Sequence, residues 1–316
     1  MAIINVDDVH ILNETGAQVD KTTGIPFKNE SLTEAEAAQA RANIRAGGSN
    51  PNLLDNAYFV GGGSQLGDGI FPINQQEQTS YTSAGQTIDR WTLFGGSVSV
   101  EADGVVVTAT PDWGQGIPVE WLPVGTYTAS VKMASGEIGS ITFTTTGSQY
   151  FAGGPMGNTG VTLNFIDKWT PAKSLFSLQC QNKKIAAAKL EAGTVSTLAN
   201  DITPPPYQRE LAACQLFFER IKAGSANHTI TVGMGSASVI YASLKVAPKY
   251  ATPTISATAI YCGQATATII ATGLSIYDAD NHTGQYSIQV DGQFTAGAPY
   301  RVILPATAYI NLSVPF

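Results

Sequence analysis

A chain of 316 residues is long enough for two domains of ordinary size, each burying its own core. Only 13% of the residues are charged, about half the usual quarter, and Gly, Ala, Thr, Ser, Gln and Asn are abundant, so the surface must be built largely from neutral polar groups. A net charge of −7 excludes the basic footprint of a nucleic-acid binder, and no run of about 18 apolar residues offers a helix for membrane insertion.

Residues 1–48 read as an N-terminal attachment and oligomerisation segment. Met1 to His10 lacks the basic start and the apolar core of a signal peptide. Ser31 and Thr33 each stand three residues before a glutamate, Glu34 and Glu36, which is the spacing of a capping box, and Gly47 and Gly48 supply a stop. The helix between them has about 13 residues, marginal for an isolated helix in water, so it is expected to persist only against a partner surface. Its alanines would let copies of the same helix approach closely. Leu32 to Gly47, Leu-Thr-Glu-Ala-Glu-Ala-Ala-Gln-Ala-Arg-Ala-Asn-Ile-Arg-Ala-Gly, resembles a segment that recurs in tail-fibre and related virion proteins of bacteriophages. The resemblance implies a homotrimer that docks on other virion proteins through this segment. With no export signal, it also implies a virion protein made in the bacterial host cytoplasm.

Residues 49–202 form the first β-rich region. Runs rich in Val, Ile, Thr and aromatics predict strands at Ser97–Val100, Val105–Thr110, Thr126–Met133, Ile138–Thr145, Val161–Ile166, Leu175–Cys180 and Ile185–Leu190. Turn signals such as Ala102-Asp103-Gly104 and Val124-Gly125 separate them, the pattern of a sandwich or jelly roll. Asn52 to Phe59, Thr87 to Trp91 and Ala187 to Gly193 resemble the frame of a carbohydrate-binding-module-like jelly roll of phage tail proteins. In that family the opening Asn-Leu-Leu segment meets the closing Lys-Leu-Glu strand, and a structural calcium often sits there. Asp55 and Glu191 are the positions that would supply its carboxylate oxygens. No other cofactor is required.

Residues 203–224 read as a linker helix entered through Pro204-Pro205-Pro206. Tyr207, Leu211, Cys214, Phe218 and Ile221 recur at heptad-like spacing, with Phe217 widening the apolar face. Two heptads serve equally for packing on the chain's own β-domain and for association between subunits. The pattern from Pro206 through Phe218 resembles the helix that follows such jelly rolls in tail-fibre proteins. Residues 225–316 alternate again, predicting strands at Thr229–Val232, Val239–Val246, Thr254–Ala259, Ala265–Ala271, Tyr286–Val290, Tyr300–Leu304 and Ala308–Val314. Pro315 cannot donate to a ladder, so the last strand is expected at a sheet edge. The fold class is therefore all-β with short helices: two antiparallel β-sandwich, jelly-roll-like domains joined by a helix, behind the N-terminal helical segment.

Cys180, Cys214 and Cys262 are an odd number without a Cys-x-x-Cys pair and read as small buried apolar residues. His10, His228 and His282 form no metal motif, and neither a Gly-x-Ser-x-Gly elbow nor a phosphate loop occurs, so no enzyme is expected. Binding is better served. Trp113, in Pro111-Asp112-Trp113-Gly114-Gln115-Gly116, has a loop-like setting in which a ring could stack on sugar while Asp112 meets hydroxyls; Trp91 and Trp121 read as core. Apparent loops around Tyr150 and Phe151, and around Tyr277, Asp280 and Asn281, are the other ligand-binding candidates. The resemblance implies a trimeric tail fibre that binds a host-surface receptor, a glycan or a protein. The rivals are a head fibre or capsid decoration protein and a polysaccharide-degrading enzyme.

Overall fold

The computed structural model describes residues 50–61, 70–200, 204–263 and 268–314. The expected helix of residues 31–48 and the attachment segment around it lie outside the described residues. Residues 50–316 belong to one compact unit that holds two β-domains.

Ten strands build the first domain: β1 Ser80–Tyr81, β2 Gly85–Gln86, β3 Thr92–Leu93, β4 Gly96–Glu101, β5 Gly104–Pro118, β6 Thr126–Met133, β7 Ile138–Thr144, β8 Tyr150–Pro155, β9 Val161–Thr170 and β10 Lys173–Ala192. Two of them are long because they serve both layers of the sandwich. The first part of β5 pairs with β4, and the second part, around Trp113 and Gly114, pairs with β3. Likewise β10 pairs with β9 over Lys173–Cys180 and with β6 over Ile185–Ala192. Between these stretches the β10–β5 register shifts at Leu178/Cys180 and at Cys180/Lys183, bulges of the kind that turn a strand from one layer to the other. The two runs predicted at Leu175–Cys180 and Ile185–Leu190 are thus one bent strand.

Alternation puts Val98 and Val100, Val105 and Val107, and Val161, Leu163 and Phe165 into the core, as period-two strands require. At its centre Trp91 stacks on Trp113 with ring centroids 4.2 Å apart, and Phe59 meets both at 5.4 Å. Each indole N–H is satisfied, Trp91 by the Asn56 carbonyl at 3.0 Å and Trp113 by the Thr87 hydroxyl at 2.9 Å. The second half of β10 is buried on both faces, because Leu53 to Phe59 lies along it: Leu53 N–H donates to Leu190 O and Phe59 N–H to Ala186 O, both at 2.8 Å. Ala186, Ala187 and Ala188 leave room for that cover. The opening and closing segments therefore do meet.

The only α-helix among the described residues is α1, Tyr207–Gln215, nine residues long. Leu216 caps it, and Phe218–Lys222 is already strand β11, which pairs with the last strand. The heptad reading is thereby corrected: Tyr207, Leu211 and Cys214 pack on Phe71 and Ile73, whereas Phe218 and Ile221 belong to a sheet. β-branched and aromatic residues after Gln215 outweigh the helical spacing.

The second domain continues with β12 His228–Gly235, β13 Val239–Lys245, β14 Thr254–Ala257, β15 Tyr261–Gly263, β16 Thr268–Ile270, β17 Gly273–Asp280, β18 Gln285–Asp291, β19 Pro299–Leu304 and β20 Tyr309–Ser313. A three-stranded sheet, β11-β20-β14, and a seven-stranded sheet, β16-β15-β19-β12-β13-β18-β17, enclose a core that includes Ile240, Tyr286, Ile288, Tyr300, Val302, Ile310 and Leu312. Instead of forming an edge, β20 is flanked on both sides, by β11 and β14. Pro315 lies outside the described residues.

Trp113 is wholly enclosed. Trp113→Ala should cost about 3–5 kcal/mol of stability, the range for deleting a core aromatic, read as a lower midpoint in urea denaturation.

Candidate functional site

The expected site residues divide into those the fold consumes and those it exposes. Trp113 is consumed. The Pro-Asp-Trp-Gly-Gln-Gly stretch is strand, not loop, and the ring is 0% exposed, which removes the stacking role expected of it. Its glycines serve close packing: a Cβ on Gly114 would stand 2.3 Å from the Phe176 carbonyl oxygen. Gln115 is buried and ties down Asp55, accepting from its N–H and donating to its carbonyl. Asp112 accepts from the Asn164 amide at 2.5 Å. Trp121, expected in the core, is 36% exposed and instead sets its ring edge-on to Phe217 and Tyr250.

Asp55 and Glu191 do not fit a calcium site. Asp55 is paired with Arg90 at 2.8 Å. Glu191 is buried beside Lys189, and its two oxygens accept the Thr197 N–H at 2.7 Å and hydroxyl at 2.6 Å. Among the described residues no group of three or more His, Cys, Asp or Glu is arranged to hold a metal ion. The three cysteines are buried and unbridged, and burial pushes the Cys180 thiol up to about 12 and the Cys262 thiol up to about 11, so they stay protonated and unreactive.

Tyr150 and Phe151 open β8, an edge strand paired only with β9, and are 48% and 58% exposed. Asp167, opposite Tyr150, holds the preceding loop by accepting from the N–H groups of Thr146 and Gly147. Tyr277 also lies in a strand, β17, where a loop was expected, and is 69% exposed. Asp280 and Asn281 shape the turn that follows. Asp280 accepts the Thr283 hydroxyl at 2.7 Å together with the backbone N–H groups of His282 and Thr283, and the Thr283 hydroxyl chiefly lowers its carboxyl below the ordinary value. Asn281 joins Tyr286 to Thr252.

What brings Tyr277 to notice is its neighbour. Tyr241 on β13 sets its ring edge to Tyr277 with centroids 5.1 Å apart, and it is itself 46% exposed. Met234 stands directly opposite Tyr241 in the ladder, and Val232 points from the same face of β12. Sequence reasoning passed over Tyr241, Met234 and Val232. The alternation Val239-Ile240-Tyr241-Ala242-Ser243-Leu244-Lys245 carried the signal, since the residues between the buried Ile240, Ala242 and Leu244 must face outward.

A second cluster missed in the sequence joins the two β-domains. Arg90 lies over the Phe217 ring at 3.4 Å, donates to the Gly116 carbonyl of β5 and pairs with Asp55. Asp89 is fully buried, and its carboxylate accepts from Gln75, through the side-chain amide at 2.6 Å and the backbone N–H at 3.1 Å. The same Gln75 amide donates to Phe218 O and accepts from Arg220 N–H, both on β11.

Burial raises the Asp89 carboxyl from its ordinary 3.8 to about 7, against the Gln75 hydrogen bonds and the Arg220 charge. The folded chain thus holds this proton more tightly than the unfolded one. Stability from this group is complete below about pH 4, falls as pH rises from about 4 to about 7, and is level above that, a loss on the order of 4 kcal/mol. Urea titrations across this range should show the slope, and Asp89→Asn should flatten it.

No protein family, no curated protein and no solved structure matches this chain.

Proposed function

We propose that the chain is a structural and adhesive virion protein, a trimeric tail fibre whose second β-domain holds a host-surface glycan against Tyr241 and Tyr277. The reading rests on the phage-like wording of Leu32 to Gly47 and on the neutral polar composition. One observation carries the recognition step: two tyrosine rings stand exposed and in edge contact on the outer face of the seven-stranded sheet, Tyr241 from β13 and Tyr277 from a bulge in β17. Rings fixed on strands lose little freedom on binding, and their faces suit the C–H faces of a sugar. Polar positions surround them. Gln289 is opposite Tyr241 and Ser275 opposite Gln289, while Ser287 lies between Ser243 and Asp278 in the next row. The serines and Gln289 offer hydroxyl and amide partners for a sugar, and Asp278 adds a carboxylate that accepts from hydroxyls and disfavours an anionic ligand here.

Tyr241→Ala and Tyr277→Ala should each weaken binding to host cells or to a glycan array by about 1–3 kcal/mol, the range for truncating a binding aromatic, with melting temperature nearly unchanged. Full binding by the double variant would refute this face as the receptor site. Light scattering on the full-length chain should give the mass of three copies. A clean monomer at micromolar concentration would refute the fibre assembly.

A further inference from the structure

The seam between the β-domains leaves a cleft of about 260 Å³ whose lining includes Tyr207, Leu211, Gln215, Arg220, Lys222 and Glu77. Three features give it a chemical character. Its charge is net positive, two cations against one carboxylate, in a chain whose total is −7. Its arginine is held in place: Arg220 donates from Nε to Asn311 and from Nη1 to Gln76 O, both at 2.8 Å, and its guanidinium lies 3.9 Å from the Tyr309 ring centre. A guanidinium already fixed by three contacts loses little freedom when an anion arrives. Tyr207 and Leu211 add apolar lining and Gln215 an amide.

We propose that this cleft binds a sugar acid, a single pyranose ring bearing a carboxylate. The carboxylate would lie between Arg220 and Lys222, the ring against Tyr207 and Leu211, and the hydroxyls towards Gln215. The volume falls below the ~300–1,000 Å³ of clefts for drug-sized ligands, which limits the occupant to about one ring. Planar carboxylate suits the fork of an arginine better than a neutral hydroxyl does. Glu77 gives the cleft an internal competitor, since its carboxylate pairs with Lys222 and must release it when the ligand binds. The site shares no residue with the Tyr241–Tyr277 face and does not rest on it.

Calorimetric titration of the full-length protein with sodium glucuronate tests this, with glucose and sodium acetate as controls at constant ionic strength. Glucuronate should bind, and both controls should bind at least about tenfold more weakly, since each lacks half of the recognised chemistry. The two variants should move affinity in opposite directions. Glu77→Gln frees Lys222 and should tighten glucuronate binding by about three- to tenfold, while Lys222→Ala should weaken it by a similar factor. Both side chains are partly exposed, at 49% and 36%, so the fold should tolerate either change. Should Lys222→Ala fail to fold, the Glu77→Gln result decides alone. No glucuronate binding by the wild type, equal binding of glucose or acetate, or an unchanged or weaker affinity in Glu77→Gln would overturn the proposal. Tyr277→Ala should leave glucuronate binding intact, so this outcome and that of the outer face are read separately.

Discussion

The first domain depends on one backbone ladder, the antiparallel pairing of β5 with β10, because these two strands are shared by both layers of the sandwich. Every other strand of the domain is attached to this pair directly or through one neighbour. The constraint reaches into composition. Gly114 lies so near the Phe176 carbonyl that no side chain fits there, and Ala186 to Ala188 stay small because the chain crosses β10 on its outer side. The bulges between Leu178 and Lys183 are then structural necessities: without them β10 could not leave the layer it shares with β9 and join the one it shares with β6.

The second domain is tied to this ladder by a polar seam. Arg90 reaches the Gly116 carbonyl of β5, Asp55 and the face of Phe217 at once, and Gln75 spans from Asp89 to β11. Among the described residues no buried side-chain polar atom is left without a partner. A fully paired network of this kind specifies geometry, since each group has a costly alternative if the domains shift. An electrostatic weakness in it is Asp89, whose oxygens accept from an amide and a peptide N–H while Arg220, the cation that lowers its carboxyl, directs its own hydrogen bonds to Asn311 and Gln76.

The distribution of aromatics separates stability from recognition. Trp91, Trp113, Phe59 and Phe176 fill the first core, and Phe217 and Tyr250 stack at the seam with centroids 5.3 Å apart. What remains exposed in quantity, Tyr150 and Phe151 on one edge strand and Tyr241 and Tyr277 on one outer face, sits on strands instead of on loops, Tyr277 at a bulge of β17. Rings presented this way are held by ladder pairing on either side, and at Tyr277 the bulge aims the ring towards Tyr241.

The strands were legible in the sequence because they follow from local patterns: alternation marked Thr126–Met133 and Tyr286–Val290, and turn dipeptides set strands apart. Burial of the three cysteines was legible too, from residue type alone. Local pattern misled where a neighbour decided the outcome. Gly and Gln around Trp113 resemble a loop but serve tight strand packing; Phe218 continues a helical spacing yet joins β20; and Tyr150 to Pro155, with Gly153 and Gly154 in its second half, pairs with β9 as β8. Acidic residues were the least legible. Asp55 and Glu191 look alike as oxygen donors, and only the arrival of Arg90, from 35 residues away, and of Thr197 shows that both are already occupied. A sequence alone determines which residues can face inward or outward along their own strand; whether a ring is covered, or a carboxylate paired, is decided by what another part of the chain brings to it.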